Sequence, residues 1–178
     1  KKDGLLLPVE INIALVKDHE NKPLYFQSVM RDISERKRIE EKLEHWSTHD
    51  WLTNLPNRFL FYDRLRRSIA RAKRYKRKFA VLYIDLNGFK QVNDTFGHAA
   101  GDRLLIQVAE RLKGCSREAD TVARMGGDEF IMLADEIDDT QDAIASAQRV
   151  LTAIGRSFSI GGELIKITAS VGISIYPD

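Results

Sequence analysis

The stretch TVARMGGDEFIMLA, Thr121–Ala134, decides the fold. Thr121–Met125 and Glu129–Ala134 read as strands on either side of Gly126-Gly127-Asp128. Glycines between two such strands are a strong hairpin signal, because tight turns need backbone angles that residues with a Cβ avoid. Upstream, Phe79–Asp85 is a short buried strand ending in a carboxylate. Gly101–Gly114 reads as a helix with Leu104, Leu105, Val108 and Leu112 on one face. Downstream, Asp139–Ile154 is a helix with a capping residue at its start. Ser157–Ile160 and Leu164–Tyr176 flank a second Gly-Gly turn, Gly161-Gly162. The order β-α-β-β-α-β plus one extra strand is the split βαβ, ferredoxin-like α+β pattern, with a palm-like sheet.

That topology brings carboxylates together. A crossover from strand 79–85 to strand 121–125 is right-handed and leaves the two strands parallel, with their C-terminal ends at one end of the sheet. Asp85 ends the first strand, and Asp128 and Glu129 follow the second. Several carboxylates in one place repel each other, and a divalent cation relieves that. Gly126 and Gly127 lack Cβ atoms, so a bulky ligand can approach the turn. The segment Leu86-Asn87-Gly88-Phe89-Lys90 offers amides and a lysine to phosphates. The chemistry these residues suggest is Mg²⁺-dependent phosphoryl or nucleotidyl transfer. No G-x-x-x-x-G-K-[ST] occurs, which excludes a P-loop NTPase.

Length and composition set the limits. The 178 residues suit one domain plus a small flanking piece, and 43% apolar with 30% charged residues is a globular mix. The longest apolar run is Phe79–Ile84, too short to span a bilayer. The first residues, KKDGLLLPVE, resemble neither an initiator nor a signal peptide. A lone cysteine, Cys115, gives no intramolecular disulfide and no cysteine-based zinc site, and fits a reducing cytoplasm. The net charge of +2 hides a block structure. Residues 34–78 carry 14 basic and 6 acidic groups, whereas residues 79–178 carry 9 basic and 15 acidic. The basic stretch Arg64–Lys78 reads either as a nucleic-acid patch or as the solvated face of an amphipathic helix reaching about Lys78. Phe61, Leu65, Ile69 and Ala72 supply that helix with an apolar stripe.

Four ordered blocks carry a resemblance: HDWLTNLPNR (His49–Arg58), DLNGFKQVNDTFGHAAGD (Asp85–Asp102), RMGGDEF (Arg124–Phe130) and SVGISIYP (Ser170–Pro177). Over about residues 46–178 the chain resembles the GGDEF-domain diguanylate cyclases. The resemblance implies condensation of two GTP into cyclic di-GMP and two pyrophosphates, by two domains meeting as a homodimer. It implies two Mg²⁺ (or Mn²⁺) ions per site, with Asp85, Asp128 and the carbonyl of Leu86 as ligands. Asp128 matches the proton acceptor, and Glu129 assists at the metal or nucleophile. Asn93 and Asp102 match the pair that binds guanine, His98 lies between them, and Phe89 and Lys90 match the phosphate loop beside Gly126 and Gly127. Arg117 and Asp120 form an R-x-x-D that matches an inhibitory site for the product, cyclic di-GMP.

The flanks are read the same way. Residues 5–31 alternate as a β-hairpin, with Val9, Ile11, Ile13 and Leu15 on one face of a half-buried strand. KKDG, PVE and Phe26–Ile33 resemble the end of a PAS sensor domain, so residues 1–32 are expected to be its C-terminal fragment. Residues 33–48 are expected to form a signalling helix, with Ile39, Leu43 and Trp46 as a coiled-coil seam. Residues 49–178 are expected to be the catalytic domain without its usual last helix, whose lysine and arginine touch the triphosphate in the family, so this piece is expected to be weak or inactive. An alternative reading is a GTP or cyclic di-GMP sensor that regulates a downstream phosphodiesterase domain. A nucleic-acid-binding palm domain is a further reading, though no nucleic acid is the expected partner.

Overall fold

Asparagine and aspartate caps, alternating strands and two glycine turns lay out the fold in a computed structural model, which describes Leu6–Pro177. The expected KKDG and the hairpin's first residue, Leu5, lie outside the described residues, as does Asp178. The chain divides into two units, residues 1–46 and 47–178.

In the first unit, β1 (Val9–Lys17) and β2 (Pro23–Asp32) pair antiparallel, with Ile11 opposite Met30 and Leu15 opposite Phe26. The Asp18 carboxylate closes the turn by accepting from the amides of Glu20 and Lys22, both at 2.9 Å. The expected half-buried strand is in fact open: Ile13 is 67% and Phe26 74% exposed. A two-stranded ribbon has no second layer to bury its apolar face. α1 (Ser34–Thr48) follows, with Ile39, Leu43 and Trp46 exposed.

The second unit begins with a tight lead-in whose Asn57 side chain caps α2 (Arg58–Tyr75) by accepting from the amides of Phe59 and Leu60. The helix stops at Tyr75, short of Lys78, because Lys76 turns into the left-handed region (φ 53°) and the next strand begins at Lys78. That strand, β3 (Lys78–Asn87), is followed by α3 (Phe89–Phe96), α4 (His98–Cys115), β4 (Thr121–Gly126), β5 (Glu129–Ile137) and α5 (Thr140–Ile154). β6 (Phe158–Ile160), β7 (Glu163–Ile165) and β8 (Thr168–Tyr176) complete it.

The sheet order is β4-β5-β3-β8, with every neighbouring pair antiparallel. β3 and β4 therefore run parallel, as the crossover requires, but β5 lies between them. This is the ferredoxin-like α+β arrangement expected from the sequence. Three local expectations change. The segment after Leu86, read as a loop, enters α3. α4 starts at His98 rather than Gly101. The expected strand 164–176 breaks at Lys166–Ile167, because β7 pairs with β6 while β8 pairs with β3.

The alternation of β3 separates two cores. Ala80, Leu82, Ile84 and Leu86 join Leu104, Val108, Phe130, Met132 and Val150 on one face. Phe79 and Val81 join Phe61, Ala72, Ile131 and Leu133 under α2. α2 is thus amphipathic, with its apolar stripe on the sheet. Among the described residues, no helix is long and apolar enough to cross a membrane.

Candidate functional site

Register places the carboxylates. β3 and β5 pair with Asp85 directly opposite Glu129, and Tyr83 opposite Ile131. Alternation puts Tyr83, Asp85 and Glu129 on the α2 side of the sheet, at an end where the surface stays open: Tyr83 and Asp85 are exposed and Glu129 half-buried. The Tyr83 hydroxyl donates to Glu129. That hydrogen bond, then burial and the charges of Glu129 and Asp85, push its phenol up to about 12. Asp128 stands half-buried in the turn, where Gly126 (φ 141°) and Gly127 (φ 53°) adopt angles that suit glycine. Among the described ion pairs none engages Asp85, Asp128 or Glu129.

The turn is anchored by residues that the sequence reading did not single out. The Arg124 guanidinium donates to the Gly127 carbonyl from Nε (3.0 Å) and Nη2 (2.7 Å), while Nη1 meets both oxygens of Asp50 at 2.9 and 3.1 Å. Asp50 also accepts from the amide and hydroxyl of Thr53, at 2.9 and 2.6 Å. Burial pushes its carboxyl up, but the Thr53 and Arg124 hydrogen bonds and the Arg124 charge outweigh that and hold it below the usual range. The Arg124 amide donates to the Pro56 carbonyl. Asp50 and Arg124 lie in separate sequence blocks, 74 residues apart, and nothing local to either block pairs them.

Beyond Leu86, a buried residue whose carbonyl is the expected ligand, Asn87 is braced from β8: it donates to the Thr168 hydroxyl and accepts from that of Ser170, both at 3.2 Å. Gly88 (φ 85°) then opens α3 with no side-chain cap. The first-turn amides and the exposed Lys90 thus lie where an anion can be met. Phe89 instead packs its ring against the main core. Gly97 links α3 to α4, again with no side-chain cap, and His98 and Asp102 sit one turn apart on α4, both exposed. Asn93 faces α4 from α3, and its Oδ1 is buried without a hydrogen-bond partner.

The oxygen donors of Asp85, Asp128, Glu129 and the Leu86 carbonyl fit a hard divalent cation. Among the described residues no three acidic, histidine or cysteine side chains already converge on one point. Mg²⁺ tolerates that, since it keeps waters and takes substrate phosphates as ligands.

Arg117 and Asp120 lie at the far end of β4 from the glycine turn. Asp120 accepts from the Arg117 amide at 2.8 Å and from the Asp135 amide at 3.2 Å. A cavity of about 400 Å³ opens there, lined by Asp120, Thr121, Asp135 and, from α2, Arg64, Arg67 and Arg71. Arg71 is paired with Asp135, and Arg64 donates to the Thr121 hydroxyl. The exposed Arg117 side chain is not part of the lining. The α2 arginines were read only as a basic patch or a solvated helix face; their place beside R-x-x-D is set by helix packing across the sheet.

The family described as diguanylate cyclase, GGDEF domain, matches residues 47–178, and the chain belongs to that family. It is 46% identical over 140 residues to the bifunctional diguanylate cyclase/cyclic di-GMP phosphodiesterase MucR of Pseudomonas aeruginosa, covering 79% of this chain and 20% of MucR. It is 39% identical over 137 residues to the diguanylate cyclase TpbB of the same species, covering 76% and 32%. The solved GGDEF domain of TpbB superposes with a TM-score of 0.71 at 40% identity, over 72% of this chain and 76% of that one. The coiled coil and GGDEF domain of DgcB from Caulobacter crescentus, solved in complex with c-di-GMP, gives 0.70 at 28% identity, covering 80% and 78%. The chain spans about a fifth of MucR and a third of TpbB.

Proposed function

We propose that residues 49–178 act as a diguanylate cyclase domain, joining two GTP into cyclic di-GMP with release of two pyrophosphates. The observation that carries this is the in-register pairing of Asp85 with Glu129 at the sheet end that also bears Gly126-Gly127-Asp128. Each domain of a homodimer holds one GTP. Asn93 and Asp102 take the guanine edge, with His98 beside them. The uncapped start of α3 at Phe89 and Lys90 takes the phosphates, and Gly126 and Gly127 let the nucleotide lie close. In each half-reaction the 3′-oxygen of one GTP bonds to the α-phosphorus of the other. The bond from that phosphorus to the pyrophosphate oxygen breaks, and the hydroxyl proton passes to Asp128. Asp85, Asp128 and the Leu86 carbonyl, assisted by Glu129, would hold two Mg²⁺ or Mn²⁺ ions, whose charge stabilises the attacking and leaving oxygens.

The flanking pieces fit a relay. We read residues 1–32 as the end of a PAS sensor domain and residues 33–48 as the signalling helix, with Ile39, Leu43 and Trp46 as its pairing seam. Arg117 and Asp120, beside the arginine-lined cavity, take the product as a feedback site. A cytoplasmic location follows from the GTP substrate.

A second reading is a nucleotide-sensing domain that regulates a downstream phosphodiesterase. Relatives named cyclic di-GMP phosphodiesterases, NbdA of P. aeruginosa and PdeR of Escherichia coli, each 38% identical, favour it. The experiment is mass spectrometry for cyclic di-GMP after adding GTP and Mg²⁺ to the parent protein and to this chain, with Asp128→Ala as control. Product that disappears in the control supports the cyclase. Tight GTP binding without product from either supports the sensor.

A further inference from the structure

We propose that Gly101 is a specificity-determining position: the bare backbone of α4 forms the seat in which the Asn93 carboxamide is held for the purine base. This rests on the guanine-nucleotide reading above. Gly101 is buried in the first turn and a half of α4, in ordinary helical backbone outside the left-handed region. Nothing in its dihedral angles demands glycine there, and alanine is the better helix former. What demands glycine is the neighbour. A Cβ at this position would stand 1.9 Å from Asn93 Oδ1 and 2.9 Å from its Cγ, and 3.2 Å from Cζ of Phe89. Real Cβ atoms essentially never come that close, so the carboxamide, the far end of its side chain, would have to shift from this seat.

The seat is also unfinished. Asn93 Oδ1 is buried and meets no donor from the protein. A buried acceptor left unpaired is costly, and a small rotation that brings the carboxamide out of the seat would let a ligand N–H relieve it. Guanine carries N–H donors on its N1 and 2-amino edge, and hypoxanthine lacks the 2-amino group. Phe89, packed against the core, borders the same spot above Gly101, and the bare Gly101 backbone sets how deep the carboxamide sits. The next residue, Asp102, is exposed on the same helix turn, so one step along α4 converts a backbone wall into a carboxylate acceptor. Gly101 touches no substrate in this arrangement; it acts through Asn93.

The test is equilibrium binding of GTP and of inosine triphosphate to the chain and its variants, with Ca²⁺ in place of Mg²⁺ to prevent turnover. Gly101→Ala is expected to weaken GTP at least tenfold and to shrink the GTP-over-ITP preference. Asn93→Ala is expected to do the same, and Gly101→Ala/Asn93→Ala to be no worse than Asn93→Ala alone. Gly101→Ala that keeps both GTP affinity and preference overturns the proposal, as does a double variant whose losses add. If Gly101→Ala does not fold, removing the carboxamide in the double variant should restore folding; a double variant that stays unfolded also overturns it. Wild-type chain that binds no GTP removes the guanine-nucleotide reading and the proposal with it. GTP binding that is unaffected by Gly101→Ala removes the proposal alone.

Discussion

Replacing Arg124 with alanine tests how the glycine turn is held. The guanidinium makes two hydrogen bonds to the Gly127 carbonyl and two to Asp50, and the two side chains are only 10% and 15% exposed. Removing one partner of a buried ion pair costs roughly 3–5 kcal/mol, chiefly because the other charge stays behind unpaired. Asp50 keeps its two Thr53 hydrogen bonds, so the lower end, about 3 kcal/mol, is expected for Arg124→Ala. For a unit of this size that is a fall of roughly 10 °C in the thermal midpoint. Circular dichroism of Arg124→Ala, Asp50→Ala and the double variant measures it, and the pair should be strongly non-additive. The pH dependence has a fixed sign. The Asp50 carboxyl is held below its ordinary value of 3.8, so the stability it contributes is present above that pH and fades as pH falls through the lower folded value. The gap between wild type and Arg124→Ala should therefore narrow in acid. Additive losses, or a midpoint within a degree of wild type, would refute the anchoring role.

Three further outcomes are expected. Arg117→Ala should weaken inhibition by cyclic di-GMP at least tenfold in the parent protein while leaving uninhibited turnover near wild type; unchanged inhibition dismisses the R-x-x-D site. Glu129→Gln should bring the Tyr83 phenol down from about 12 towards 10.0, read as tyrosinate absorbance against a Tyr83→Phe reference; a phenol that does not move would mean that Glu129 is not its partner. Asp85→Asn should weaken Mg²⁺ or Mn²⁺ binding at least tenfold, measured calorimetrically with a non-reactive GTP analogue, and leave the thermal midpoint almost unchanged, because Asp85 is exposed.

Much of the fold was legible because periodicity and turn chemistry agreed. The two glycine turns and the strand alternation around Phe79–Asp85 and Glu129–Ala134 carried the sheet. What escaped has particular causes. α3 is eight residues long and bounded by glycines at both ends, so Gly88-Phe89-Lys90 looked like a loop although Phe89, Val92 and Phe96 carry helical spacing. The break at Lys166–Ile167 is a change of pairing partner, and nothing in the apolar pattern marks it, since Ile165 and Ile167 are both buried. The hairpin's apolar face looked half-buried because periodicity reports which residues share a face, not whether anything covers it. The partnership of Asp50 with Arg124 is set by tertiary packing between segments far apart in sequence, which no local pattern reveals.

The antiparallel register of β3 and β5 has a consequence for how this domain can change over time. Asp85 meets Glu129 only while the residue count between the strand core and the glycine turn is kept. One residue inserted between Tyr83 and Asp85 would swing the carboxylate to the opposite face, among Ile84, Leu86 and Leu104. A change that alters the proposed chemistry yet keeps the scaffold is therefore an exchange of side chains at Asp85, Asp128 or Glu129, not a change of length. Gain or loss of length there would put a carboxylate into the core.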